Sequence, residues 1–328
     1  MRLTGVFTLL LGLPQPFVLA QANHSPLASV SLQTTTAAPS VAKPAALTVG
    51  AIPGDAIRDL IRKVAENDIE NDKKQRDYTY TEYEAQRRLD GKGHVTSKES
   101  NTYEVMMLYG EQVSRRITHN DKPLSEKETA KEEEKIQKVM RKRSNETEEQ
   151  RKKRIDEENK DREEEREFVR EIADAYNFRL VEVVSLEGRE TYVIDADPRP
   201  GFQPHHTDAK YLPKFKFRAW IDKAETQWVK LHAEAIDTVS WGLFIARLHK
   251  GSLLEVAQTR VNDEVWLPRQ VVVRLDAKIG LLKNYNLEEE STYRDYKKFR
   301  TDTKIVPLGK VEDSPASRQR LASGCPPQ

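Results

Sequence analysis

The chain has a single cysteine, Cys325, beside two prolines near its end. One thiol forms no internal disulfide, so even in an oxidising compartment the fold has no covalent staple and must rest on its core. The polar tail around Cys325 offers no base, which argues against a thiol nucleophile. Net charge is missing too, since 54 Lys and Arg stand against 53 Asp and Glu. That balance removes the electrostatic case for nucleic acid or an anionic membrane surface, leaving membrane contact peripheral at most. Beyond residue 22 no apolar run is long enough to span a bilayer. The G-x-S-x-G, Walker A and G-x-G-x-x-G patterns are absent, and the many acidic residues are too scattered to nominate a catalytic pair. No enzyme and no cofactor is expected.

The start of the chain reads as an export signal over residues 1–22. Arg2 precedes an apolar stretch from Val6 to Leu13, which Phe17-Val18-Leu19-Ala20 continues past Pro14 and Pro16. Ala20-Gln21-Ala22 supplies the small-x-small pattern of a cleavage site. The alternative is an uncleaved anchor, against which the interrupted apolar run and the cleavage pattern count. Residues 23–50, rich in Ser, Thr, Ala and Pro, read as a flexible linker. Residues 301–328 read as a disordered tail. Between them lies one domain, 51–300.

Asp55 can cap a short amphipathic helix over 55–66, with Ile57, Leu60, Ile61, Val64 and Ala65 on one stripe. From Tyr78 the period falls to two. Runs of β-formers are punctuated by turn signals at Asp90-Gly91, Glu187-Gly188, Lys250-Gly251 and Asn262-Asp263. About ten short strands with no βαβ alternation predict an α+β fold: a curved antiparallel sheet, an unclosed β-barrel covered by helices.

A charged helical insertion over 125–176 interrupts the strands. Ser125 and Glu128 form a capping box at its start. From Arg141 to Glu167 Ile155 is the sole apolar residue, and Glu148/Lys152, Glu149/Lys153 and Asp156/Lys160 have ion-pair spacing. Apolar residues gather at its ends: Ile136, Val139 and Met140, then Phe168, Val169, Ile172 and Tyr176. A continuous helix would reach roughly 75 Å, whereas a turn near Ser144-Asn145 would fold it back. It reads as a solvated helix or as a partner-binding arm.

Two clusters could carry chemistry. His205-His206-Thr207-Asp208, with Asp195 and Asp197 upstream, lacks the helical or C-x-x-C spacing of a zinc site and sits among Pro198, Pro200, Gly201 and Pro204, so it reads as a loop and no metal is expected. The second is the sheet itself. Phe215, Phe217, Ala219 and Ile221 alternate onto one face, as do Val229, Leu231, Ala233 and Ala235 on the next strand. Val105 and Met107 extend the candidate apolar-ligand face. Such a face is either an ordinary core or a surface for an acyl chain.

Tyr192-Val193-Ile194-Asp195-Ala196-Asp197-Pro198, Ala219-Trp220-Ile221-Asp222-Lys223 and the run Gln258 to Pro268 resemble the LolA/LolB-like lipoprotein-carrier superfamily, bacterial outer-membrane lipoprotein-sorting proteins. The resemblance covers roughly residues 55–300. It implies a half-barrel whose concave side can take lipid or lipoprotein acyl chains, in a periplasmic carrier of an apolar, lipid-bearing ligand. The same fold serves periplasmic stress sensors, so the alternative is an interaction or sensor module that meets an envelope protein through the charged helix. The length of the chain and its insertion depart from the compact carriers, and no family ligand contact maps onto a position here.

Overall fold

The computed structural model describes residues 54–109, 111–241, 246–280 and 283–299. The expected export signal, linker and tail lie outside them. In chain order the elements are α1 (Gly54–Gln75), β1 (Tyr78–Leu89), β2 (Val95–Leu108), β3 (Glu111–His119), β4 (Lys122–Pro123), α2 (Glu126–Ser144) and α3 (Glu148–Ala175). There follow β5 (Tyr176–Leu186), β6 (Arg189–Pro198), a 3₁₀ segment (Thr207–Lys214), β7 (Phe215–Asp222) and β8 (Gln227–Ala235). The chain continues through β9 (Val239–Trp241), β10 (Ala246–Leu248), β11 (Leu253–Val261), β12 (Val265–Ile279) and β13 (Lys283–Lys298).

All 13 strands join one antiparallel, unclosed sheet in the order β4-β3-β2-β1-β13-β12-β11-β8-β7-β6-β5, with β10 between β12 and β9. Tight turns set the register where both central residues adopt positive φ, as at Asn120-Asp121 and Glu187-Gly188. That backbone twist matches the twist of the flanking strands. The sheet has more strands than the sequence pattern suggests, because β4 and β9 are too short to show a period.

The first strand pairs with the last, β1 against β13, so the N-terminal meander and the later one meet mid-sheet. Their outer ends, β4 and β5, are therefore the two opposite edges, and α2–α3 is the connection between them. Ten inter-strand gaps of about 4.8 Å give a sheet about 48 Å wide if flat. Helices of 19 and 28 residues extend about 28 and 42 Å. The charged insertion is thus a strap from edge to edge. It is two helices, broken at Asn145–Thr147, where Thr147 and Gln150 form a second capping box. The break falls where the folded-back alternative placed its turn.

Each end of the strap is anchored. On α2, Ile136 is buried, and the buried Glu132 accepts the Arg116 backbone N–H of β3 at 3.3 Å while pairing with Lys135 at 2.6 Å. This covers a strand edge that would otherwise present unpaired backbone groups. On α3, Phe168, Ala173 and Ala175 are buried, and the helix passes directly into β5 at Tyr176. No helix among the described residues is long and apolar enough to cross a membrane.

Candidate ligand face and its hinged cover

Cross-strand register places Phe217, Ala233, Leu254 and Val273 in one row of neighbours, and Ala219, Leu231, Val256 and Val271 in the next. These rows, with Phe215 and Ile221, form the floor of the main apolar cluster. Ile57, Ile61 and Val64 of α1 and Phe168 of α3 cover it. Leu212 of the 3₁₀ segment closes one side, its carbonyl accepting the Tyr176 hydroxyl at 2.5 Å.

Seven of the eight predicted face residues keep that face, and five of them meet. Phe215, Phe217, Ile221 and Ala233 lie in the cluster, with Leu231 packed against it. Val105 shares the face but is outside the cluster, because β2 lies beyond β13 and β1 in the sheet. Met107, two residues on, is likewise buried away from the cluster. Val229 is the departure. A bulge leaves it unpaired, with Trp220 opposite Lys230 and Ile221 opposite Trp228. An extra residue shifts the alternation by one. Trp228 takes the inward place. Val229 instead lines a cavity of about 160 Å³ with Lys230, Arg189, Asp222 and Val272. A drug-sized ligand needs about 300–1,000 Å³, so this is no acyl pocket.

The cover is attached unevenly. On α1, Ile57, Ile61, Val64, Asp68, Asn71 and Gln75 follow one another at spacings of four and three, a single stripe on one side of the helix. Its first half is aliphatic and touches the sheet through apolar contact. Its second half is polar and hydrogen-bonded. Asp68 accepts from the Trp228 indole at 2.6 Å and from Gln227 at 3.1 Å. Asn71 donates to the Trp266 carbonyl and accepts from the Trp266 N–H, both at 2.8 Å. Gln75 donates to that carbonyl at 3.0 Å, and neighbouring Asn67 donates to the carbonyls of Glu225 and Thr226 at 3.0 and 2.8 Å. The predicted helix stops at residue 66 because the apolar residues run out there; continuing the same spacing through Asp68, Asn71 and Gln75 would have found the rest.

The base of this attachment is densely hydrogen-bonded. Arg189 grips Asp222 with two hydrogen bonds of 2.6 and 2.9 Å and Glu225 with one of 2.8 Å, and lies over the Trp266 ring. Arg260 pairs with Glu225 at 2.8 Å, and the Trp266 indole donates to Glu225 at 2.8 Å. Burial alone would raise the Asp222 carboxyl, but the Arg189 contact and the Glu225 backbone N–H hold it below its ordinary value. By contrast, among the described residues the aliphatic half of α1 is tied sideways only to α3, by Arg62–Asp174 at 3.2 Å and Glu66–Arg170 at 3.1 Å. Both pairs are largely exposed, and such pairs contribute about 0–1 kcal/mol each.

The histidine cluster has structural work instead. The Glu171 carboxylate accepts the backbone N–H groups of His205 and His206. His206 also accepts from the Asp208 N–H at 3.2 Å and packs edge-on against Phe168. Asp195 pairs with Arg179 and Arg218.

No family model matches the chain, and no curated protein matches it. Three solved structures show distant likeness. A DUF1329 family protein from Desulfovibrio piger is 12% identical, with 81% of this chain and 99% of that one covered, at a TM-score of 0.29. An outer membrane lipoprotein-sorting protein domain from Vibrio parahaemolyticus is 13% identical over 75% of this chain and 95% of that one, TM-score 0.25. The MucA/MucB complex of Pseudomonas aeruginosa gives 10% identity, 75% and 99% coverage and a TM-score of 0.22.

Proposed function

We propose that the chain is a non-catalytic binder of an apolar, acyl-bearing ligand in the bacterial periplasm, taken up between the sheet and α1. The supporting observation is the asymmetry of α1: fixed to the sheet side by hydrogen bonds from Asn67 onward, and held before that by apolar contact with the sheet and two exposed ion pairs to α3. Swinging the first half of α1 aside exposes Ile57, Ile61 and Val64 and the floor of Phe217, Ala233 and Leu231. Exposing three aliphatic side chains costs about 5–9 kcal/mol at about 1.5–3 kcal/mol each. An acyl chain returns about 0.8 kcal/mol per buried methylene, so about ten methylenes offset the opening. The ligand replaces the helix instead of filling a standing hole.

The test is a titration of delipidated full-length protein with a fluorescent fatty acid, alongside hydrogen exchange. The expected result is saturable binding, displaced by unlabelled fatty acid, with faster exchange over 56–65 and unchanged protection over 68–75. Folded protein that shows no saturable binding overturns the reading.

The strap supports a second reading, a module that meets an envelope protein. Its Arg151–Asp161 stretch is almost all charged and mostly exposed, and Ile155 there is 38% exposed. Co-purification of a protein lost on neutralising this stretch, with no lipid retained, would favour it.

A further inference from the structure

The inward face of the sheet changes character beyond β12. The apolar rows continue from Val273 to Glu289 and Gln86, and from Val271 to Ser291 and Glu84. Two residues along, Tyr293 opposes Glu82. Three carboxyls, Glu82, Glu84 and Glu289, thus lie together on the inward face of the β1–β13 pair, Glu289 diagonal to Glu84. Glu82 is 7% and Glu289 is 5% exposed. Among the described residues none of the three forms an ion pair. Gln86 donates to Glu289 at 3.1 Å, while Tyr293 and Ser291 hydrogen-bond Glu82.

The surroundings bring little positive charge. β12 presents Val271 and Val273. β2 presents Tyr103, Asn101 and a fourth carboxyl, Glu99. On β3, Arg116 faces Tyr103 but donates to Asn101 and lies 4.0 Å from Glu128 of α2, and His119 meets Asn101. On β1 the inward Arg88 lies over the Tyr285 ring of β13. Tyr80 and Tyr296 complete the neighbours, Tyr80 packing against both Tyr293 and Tyr296.

We propose that Glu82, Glu84 and Glu289 form a pH-responsive element that secures β1, β2 and β13 when protonated and loosens them as the carboxyls ionise. Like charges on adjacent strands repel, and burial denies them the water that would screen the repulsion. Burial, reinforced by the neighbouring carboxylates, raises Glu82 to about 7 and Glu84 to about 8; burial also raises Glu289. An acid whose folded-state pKa is raised binds its proton more tightly in the folded state. The stabilisation is therefore complete below the ordinary value of 4.5 and is lost as pH climbs through about 7 to 8. This element is separate from the α1 cover and does not depend on ligand uptake.

The test compares the full chain with E84Q and with E82Q/E84Q/E289Q at pH 6.5 and 8.5. Thermal midpoints and strand-resolved hydrogen exchange are the two readouts. For the unmodified chain the midpoint should fall by several degrees, with protection, corrected for the intrinsic pH dependence of exchange, falling at least tenfold on β1, β2 and β13 and unchanged on β6–β8. The triple variant should lose both responses. Among the described residues Glu84 has no hydrogen bond to forfeit, so E84Q should fold regardless and lose part of the response. An unchanged response in E84Q, or a loss of corrected protection spread evenly over the sheet, would overturn the proposal.

Discussion

Asn71 and Trp266 exchange two hydrogen bonds of 2.8 Å, side-chain amide to backbone N–H and C=O, as two strand neighbours would. Asn71 is 6% and Trp266 7% exposed, so water cannot take over. The Trp266 carbonyl has a second donor in Gln75, whereas its N–H has only Asn71. Asn71→Ala therefore leaves a buried N–H unpaired, which costs about 1–3 kcal/mol. Urea melts should show that loss, while exchange should quicken over 68–75, the segment left protected by ligand. A variant as stable as the parent would show that this end of α1 is no anchor.

Asp68 gives that anchor a pH dependence. Burial outweighs the bonds from Trp228 and Gln227 and raises its carboxyl to about 6. Its stabilisation is thus complete below the ordinary value of 3.8 and falls as pH rises to about 6. Part of Asp68 still meets solvent, which screens its charge, so the loss stays below the about 3 kcal/mol that two pK units represent. Asp68→Asn should match the parent near pH 4 and exceed it at pH 7. Equal curves from pH 4 to 7 would refute the assignment.

Much of this architecture is legible in the residues themselves. Alternation and turn signals announce the antiparallel sheet, and the capping box at Ser125 and Glu128 places the start of α2. What stays hidden is non-local. Nothing near residues 125 and 176 says that β4 and β5 are opposite edges, because that follows from β1 pairing with β13. A strap between two edges need bury only its ends, which explains apolar residues confined to Ile136 and to Phe168 onward. The bulge at Val229 is hidden for a related reason, since period two cannot report an inserted residue. Glu82 and Glu84 sit in β1 as ordinary alternating polar residues. Only the register with β13 reveals Glu289 beside them.

Ala233 offers the sharpest separation of core from ligand face. It is 3% exposed, opposite Phe217 on β7 and Leu254 on β11, beneath α1 and α3. In a core that never opens, Ala233→Trp has nowhere to place its ring and should cost about 1–3 kcal/mol through overpacking. Beneath a helix that can swing, the ring displaces the aliphatic half of α1 as an acyl chain would, and new apolar contact offsets part of the strain. The expected outcome is a loss below about 1 kcal/mol in urea melts, faster exchange over 56–65, and fatty-acid affinity at least tenfold weaker. Exchange identifies the mechanism, because simple overpacking would also disturb β7 and β11, whereas displacement of the cover leaves the strands protected. A large loss of stability together with faster exchange in both strands would return this face to an ordinary core.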